Sequence, residues 1–280
     1  MTPRRTIART VTATGTALHA GTPVTMTLAP SAPGSGIVFR RADLDADIPA
    51  RYDLVGETRL GTVIGRGGAT VGVVEHLMAA AAGAEIDDLL VTLDGPEPPI
   101  LDGDALSYLD LLESGGLAEQ PLARGAIRVL KPVTVDAGAA RAALLPADFL
   151  SYTYHLSFPV IGDQYYAFAF SRAGFRAEIA PARTFGFLSE LEALNQMNLA
   201  RGASLANTLA LDAGGLVNPE QQRFADEFVR HKILDAIGDM GLAGAPLIAR
   251  FEGHRSGHAT NNALLRALFA DPANYERVEL

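Results

Sequence analysis

The spacing of hydrophobic positions changes period several times along the chain, and each change marks an element. Residues 24–28 alternate between apolar and polar, and 37–40 do the same, with the Pro-, Ser- and Gly-rich stretch 30–36 as the turn between them. Gly65-Arg66-Gly67-Gly68 predicts a hairpin tip. It lacks the lysine and the strand-to-helix setting of a phosphate loop. From 74 to 82 the pattern becomes helical and alanine-rich, with Gly83 as its stop. Residues 89–93 predict a strand, and 106–112 a second helix ended by Gly115-Gly116. Residues 118–125 contain Gln120-Pro121 and have no apolar period, which places a boundary there between an N-terminal unit, 1–120, and a C-terminal unit, 126–280.

The second half repeats this outline. Strands are expected at 127–130, 142–145, 152–158 and 166–170, followed by a mixed segment at 203–211. A helix is expected over about 226–240, with Asp226 as N-cap and Gly241 as stop, and another over 263–269. Each half therefore runs strands, helix, strand, helix, an α+β pattern with duplicated architecture but no repeat at the level of residues.

With 280 residues, 48% hydrophobic and 20% charged, the chain has the make-up of a globular protein of one or two domains. A net charge of −9 argues against general nucleic-acid binding, which needs a basic face to neutralise phosphate. The absence of cysteine excludes disulfides and leaves any metal to histidine and carboxylate. No apolar run reaches about 18 residues and the arginine-bearing N-terminus has no signal-like apolar core, so a cytoplasmic protein without a membrane span is expected.

The helix expected over 226–240 carries the most chemical information. At about 100° per residue, His231, Asp235 and Asp239 fall near 0°, 40° and 80°, while Val229, Ile233, Ala236, Ile237 and Met240 fill the opposite side. A His-x-x-x-Asp pair on one face can reach one metal ion, although the same spacing also occurs as an ordinary surface pair. Glu75 and His76 point about 100° apart on their helix. They suit divided labour, His76 as a third ligand and Glu75 as a general base; alternatively Glu75 is simply an acidic residue in a first turn. His258 follows Gly257 in an expected loop, and His19 lies in a loop of small residues open to a ligand. His155 and His254 read as structural.

The words around these residues resemble the UDP-3-O-acyl-N-acetylglucosamine deacetylase family, the zinc amidases of lipid A (lipopolysaccharide) biosynthesis. The resemblance spans nearly the whole chain. It is closest in Val74-Glu75-His76-Leu77, Leu101-Asp102-Gly103, Ala182-Arg183-Thr184-Phe185-Gly186-Phe187, the run from Asp226 to Asp239, and Ser256-Gly257-His258. It implies that His76, His231 and Asp235 bind Zn²⁺ with one position left for water, although the same donors can also hold Fe(II) or Co(II). It further implies Glu75 as general base and His258, oriented by Asp239, as the cationic partner of the oxyanion and acid for the leaving amine. Thr184 would donate to the oxyanion, Lys232 would help hold the diphosphate, and Phe185 and His19 would contact substrate.

The fold so implied is α+β: two βα domains forming a sandwich, with helices packed between two sheets and a small βαβ insert, about 185–212, as an acyl passage in the second domain. Leu188, Leu191, Leu194, Leu205 and Leu209 are its candidate lining, unless they are ordinary core. Three positions depart from the usual family pattern. Asp104-Ala105-Leu106-Ser107-Tyr108 replaces Ser-Ala-x-Pro-Phe, Phe158 replaces a common histidine, and Gly72-Val73 stands where a hydroxyl residue is usual.

The expected activity is removal of acetate from a UDP-linked, 3-O-acylated N-acetylglucosamine by a cytoplasmic monomer, with at most transient contact with a membrane surface. The alternatives are a related zinc amidase on another acylated amino sugar, or a non-catalytic homologue that binds nucleotide sugar or lipid.

Overall fold

The computed structural model describes residues 1–280. Two five-stranded sheets form its outer layers. In spatial order one contains Val11–Thr16, Pro23–Pro30, Leu89–Leu93, Ile37–Arg41 and Ala46–Pro49; the other contains Val133–Ala137, Ala140–Leu145, Arg250–His254, Ser151–Phe158 and Gly162–Ala169. The two sheets share one topology. Each consists of two hairpins split by a central strand from later in the chain, antiparallel to one hairpin and parallel to the other. The duplicated outline in the sequence is thus a duplicated sheet. Alternation accounts for the inward faces: Val24, Met26 and Leu28 are buried on one sheet, and Tyr152, Tyr154 and Leu156 on the other.

Six helices are formed: α1 Glu75–Gly83, α2 Leu106–Ser114, α3 Arg172–Gly174, α4 Leu188–Gln196, α5 Glu227–Gly241 and α6 His258–Ala270. Helix α1 packs on α5 and α2, and α5 packs on α6 and the strand Ser151–Phe158. Helix α1 is buried nearly all round, as its lack of a polar face requires. This is the expected α+β sandwich with helices between sheets. The strands Phe185–Phe187 and Leu209–Asp212 pair in parallel and are joined through α4, giving the small βαβ insert.

Helix α5 passes so close to α1 that a Cβ on Gly238 would lie 2.0 Å from the Glu75 carbonyl oxygen. Only glycine allows this contact, which sets the distance between the two helices at their chemically active turns. Gly238→Ala is expected to cost about 1–3 kcal/mol through overpacking. It should also displace α1 from α5; a lowered denaturation midpoint together with lost metal affinity would register both effects.

Three local expectations need correction. Residues 118–125 are not an irregular linker: Leu117–Ala123 is a strand paired with Pro3–Ile7, with a register shift between Pro3 and Arg4. Pro121 is accommodated beside that irregularity, in a two-stranded sheet where one missing N–H donor is tolerated. Sheet partners change at Arg124, since Gly125–Val129 pairs with Tyr275–Glu279. Asp226 makes no side-chain cap; it pairs with Arg230 at 2.6 Å, while Glu227 accepts the backbone N–H groups of Arg183, Arg223 and Phe224. His258 is the first residue of α6 rather than part of a loop, because Thr260, Asn261 and Asn262 continue the helix with polar but buried side chains.

Candidate active site

The N-terminus of α1 and the middle of α5 meet between the sheets. His76 comes from the second position of α1, and His231 and Asp235 from successive turns of α5; all three are buried. Asp235 Oδ1 lies 3.6 Å from His76 Nε2 and 3.4 Å from His231 Nε2. Donors about 2.1 Å from a tetrahedral ion lie about 3.4 Å apart, so the spacing fits a shared cation. Asp235 Oδ1 has no hydrogen-bond partner, whereas Oδ2 accepts from Lys232 Nζ at 2.6 Å. His231 Nδ1–H donates to the Ala182 carbonyl at 3.0 Å, which leaves Nε2 deprotonated and facing the group. The His76–His231–Asp235 set can therefore hold a metal.

The charges suit that role. Burial pushes His231 down to about 4, keeping it a neutral ligand. Burial alone would raise Asp235, but Lys232 and His231 outweigh it and hold the carboxyl well below its usual range. Lys232 is likewise opposed by burial and held above the ordinary lysine range by Asp235.

Glu75 and His258 face each other beside this triad, with Oε1 and Nε2 3.8 Å apart. Burial raises Glu75, partly offset by His258 and His76, which makes it a better proton acceptor than an exposed carboxylate. His258 Nδ1–H donates to Asp239 Oδ2 at 3.0 Å. Burial opposes its charge, yet Asp239 and then Glu75 outweigh it and raise His258 to about 9. An imidazolium and a carboxylate thus point at one space from opposite sides.

Thr62 ties these parts together and was not singled out by the sequence. Its N–H donates to Glu75 Oε2 at 2.9 Å and its hydroxyl to Asp239 Oδ1 at 2.6 Å. Asn261 Nδ2 donates to Asp239 Oδ2 at 2.8 Å, so Asp239 is held from three sides. Non-glycine residues at positive φ flank the site: Val73 (54°), Leu101 (52°) and Arg255 (49°). Each costs on the order of 1–3 kcal/mol, strain of the kind stored where a turn must aim a side chain.

A pocket of about 560 Å³ opens over the triad. Thr184, Phe185 and Lys232 line it, as do Tyr154, Leu156, Phe158, Arg59 and Arg255. The Thr184 backbone is clamped between Gly103 O (2.8 Å) and Leu209 N (2.9 Å). Gly103 has φ +76° and sits where a Cβ would meet Asn207 O at 1.8 Å, so the Leu101-Asp102-Gly103 turn fits only with glycine. Three residues expected at the substrate lie outside this lining. Both ring nitrogens of His19 are engaged, with Leu60 O (3.0 Å) and Ala200 N (3.3 Å), joining the insert to the loop before Thr62. Leu188 and Leu205, in the insert, are 41% and 52% exposed.

The departures at 104 and 158 separate in space. Asp104 is buried away from the pocket, where Oδ1 accepts from the Ser107 N–H (3.0 Å) and hydroxyl (2.8 Å) and Oδ2 pairs with Arg223. It caps α2 and braces the Asp102 turn. Phe158 faces the pocket, with the Arg255 guanidinium 5.8 Å from its ring centroid.

Comparison with known proteins agrees with this geometry. The family model described as UDP-3-O-acyl N-acetylglycosamine deacetylase matches residues 4–270. Proteins named UDP-3-O-acyl-N-acetylglucosamine deacetylase align over nearly the whole of this chain. That of Myxococcus xanthus is 47% identical over 279 residues, covering 98% of this chain and 89% of the relative. That of a Nitratiruptor species is 45% identical over 278 residues, 99% and 93% of the two chains. That of an Anaeromyxobacter species is 43% identical over 279 residues, 99% and 92%. A metal-competent triad, a facing carboxylate and imidazolium, and similarity over the full fold lead to one assignment: the chain belongs to the UDP-3-O-acyl N-acetylglycosamine deacetylase family.

Proposed function

We propose that this protein is a cytoplasmic, monomeric zinc-dependent hydrolase of lipid A biosynthesis. It removes the N-acetyl group of UDP-3-O-acyl-N-acetylglucosamine to give acetate and the free amine. The observation that carries the reading is the convergence of Glu75 and His258 on the space beside His76, His231 and Asp235. All of these groups come from one chain.

The triad's two imidazoles and one carboxylate, with Asp235 Oδ1 otherwise without a partner, fit Zn²⁺. Zinc held there supplies a Lewis acid that makes water a usable nucleophile near neutral pH. Glu75 accepts the proton of the attacking water. Cationic His258 faces the oxyanion that develops on the acetyl carbon and then gives its Nε2 proton to the departing amine, while Asp239 keeps Nδ1 protonated. The Thr184 hydroxyl adds a donor to the same oxyanion. Lys232, Arg59 and Arg255 place positive charge along the pocket for a diphosphate, and Leu18, Leu156, Phe158 and Phe185 give it an apolar side for the acyl chain.

Acetate release from UDP-3-O-acyl-N-acetylglucosamine by the metal-replete protein tests the reading. Release should stop with a chelator and fall sharply when the acyl chain is omitted. Binding of the nucleotide sugar without release would refute the hydrolase assignment, and equal rates with and without the acyl chain would refute the substrate.

The rate should also depend on pH through His258. The cation is the active form and its pKa is about 9, so kcat is expected to fall as the pH rises through that value. A nearby dication moves this limb to lower pH. Asp239→Asn removes the main contribution raising the pKa, leaving only Glu75 and the more distant Asp235 to oppose burial, and should move the limb further down. A pH–rate profile of both proteins would show it; an unmoved limb would assign the titration to another group.

A further inference from the structure

On the outer face of the second sheet, away from the helices, His155 and His254 stand opposite each other on neighbouring parallel strands. Their Nδ1 atoms are 3.1 Å apart, with ring centroids 5.0 Å apart and planes inclined at 49°. The rings are tilted rather than stacked and meet at their Nδ1 atoms, which lie within hydrogen-bond distance of each other. The His155 side chain is 42% exposed and His254 is also exposed, so the point is open to solvent. Asp163 Oδ1 lies 3.7 Å from His155 Nε2, the nitrogen turned away from His254. At that distance the carboxylate attracts a proton to Nε2 without a hydrogen bond, which favours the tautomer in which Nδ1 keeps its lone pair. Of the two adjacent arginines, Arg141, opposite His254 in the ladder, is turned to Asp136 at 3.7 Å, and Arg255 carries its guanidinium over the Phe158 ring.

Two nitrogen ligands about 2.1 Å from one ion lie about 3.0 Å apart at a right angle and about 3.4 Å apart at a tetrahedral angle. The observed 3.1 Å falls in that interval. We propose that His155 and His254 form a second, surface metal site, separate from the catalytic triad. It would take a divalent ion that prefers imidazole nitrogen, of the zinc, nickel or copper kind, with water completing the coordination. The site has a definite mechanical position. Arg255 follows His254, donates its N–H to His155 O at 3.0 Å, and begins the turn through Ser256 and Gly257 to His258. An ion bridging the two rings therefore pins the strands Ser151–Phe158 and Arg250–His254 where the chain leaves the sheet for the active site.

The test is calorimetric titration of the untagged holoprotein, freed of loose metal, with Ni²⁺ as probe. Wild type should bind one equivalent that the His155→Asn/His254→Asn double variant does not. Each single variant should weaken that binding by more than the roughly 10–100-fold that loss of an outer partner causes. Nickel should raise the melting temperature of wild type but not of the double variant. Both positions are exposed and asparagine keeps them polar, so unchanged circular dichroism and metal-free melting would establish that the variants fold. Exchange of nickel into the catalytic triad would appear equally in the double variant and is subtracted by it. Absence of any equivalent specific to wild type, or its survival in either single variant, would overturn the proposal. Neither result depends on acetate release, so this site and the deacetylase reading stand or fall separately.

Discussion

Glu75→Gln is expected to lower kcat about 10²–10⁴-fold while leaving metal content and substrate affinity close to wild type. The substitution keeps the shape of the side chain and an oxygen able to accept the Thr62 N–H, now made at 2.9 Å, so the loop carrying Thr62 need not move. It removes the one buried carboxylate beside the triad that is neither a member of the metal-ligand group nor hydrogen-bonded to another side chain. Asp235 is taken up with the two imidazoles and Lys232, and Asp239 with Thr62, His258 and Asn261. No other carboxylate can take over without dismantling what it already holds. Loss of Glu75 also removes one of the charges that raise His258, so the residual activity should lose its cation at lower pH than wild type. Metal analysis alongside single-turnover rates separates the cases. A variant that loses both metal and rate would make Glu75 a structural residue of the site rather than its base.

His231→Ala is expected to abolish activity and most metal binding, and to erase the effect of a chelator on stability. A metal bound only by the folded chain stabilises it by mass action, about 4 kcal/mol at a free concentration a thousand times Kd. Chelation should therefore lower the melting temperature of wild type measurably. In His231→Ala the melting temperature should already be low and should not respond, because His76 and Asp235 alone leave the site short of a ligand. The Ala182 carbonyl also loses its donor in the interior, adding about 1–3 kcal/mol of destabilisation independent of metal. A variant that still melts higher with metal would show that the ion is held elsewhere.

The parts of this site that periodicity could place share a physical property: each lies within one turn of its partner, whereas the pairing of His258 with Asp239, 19 positions apart, came only with the family resemblance. His231 and Asp235 are four apart on one helix, and Glu75 and His76 are adjacent. Helical periodicity alone could place these residues on faces, and the surrounding words gave them roles. Thr62 escaped because its significance lies in a hydrogen bond to a residue 177 positions away, for which local pattern has no signal. Asn261 escaped for the same reason: it is inside α6 and directed at Asp239, 22 positions away. Leu188 was visible as apolar but not as exposed, since on an element as short as α4 the period does not distinguish a buried face from an open one. Leu117–Ala123 failed as a strand for a related reason: a two-stranded edge needs little alternation to pair.

The shared topology of the two sheets also has a consequence in time. Each sheet is completed by its central strand, which is made after both flanking hairpins, and in the second sheet that strand is Arg250–His254. His258 follows it at once, as the first residue of α6. At synthesis rates of about 5–20 residues per second, about 9–36 s pass between the making of His76 and that of His258, 182 positions later (258 − 76). Through that interval the first half can close its own sheet, but half of the catalytic machinery does not yet exist. A chain cut short between Asp235 and His258 therefore carries all three metal-ligand residues without the cationic acid.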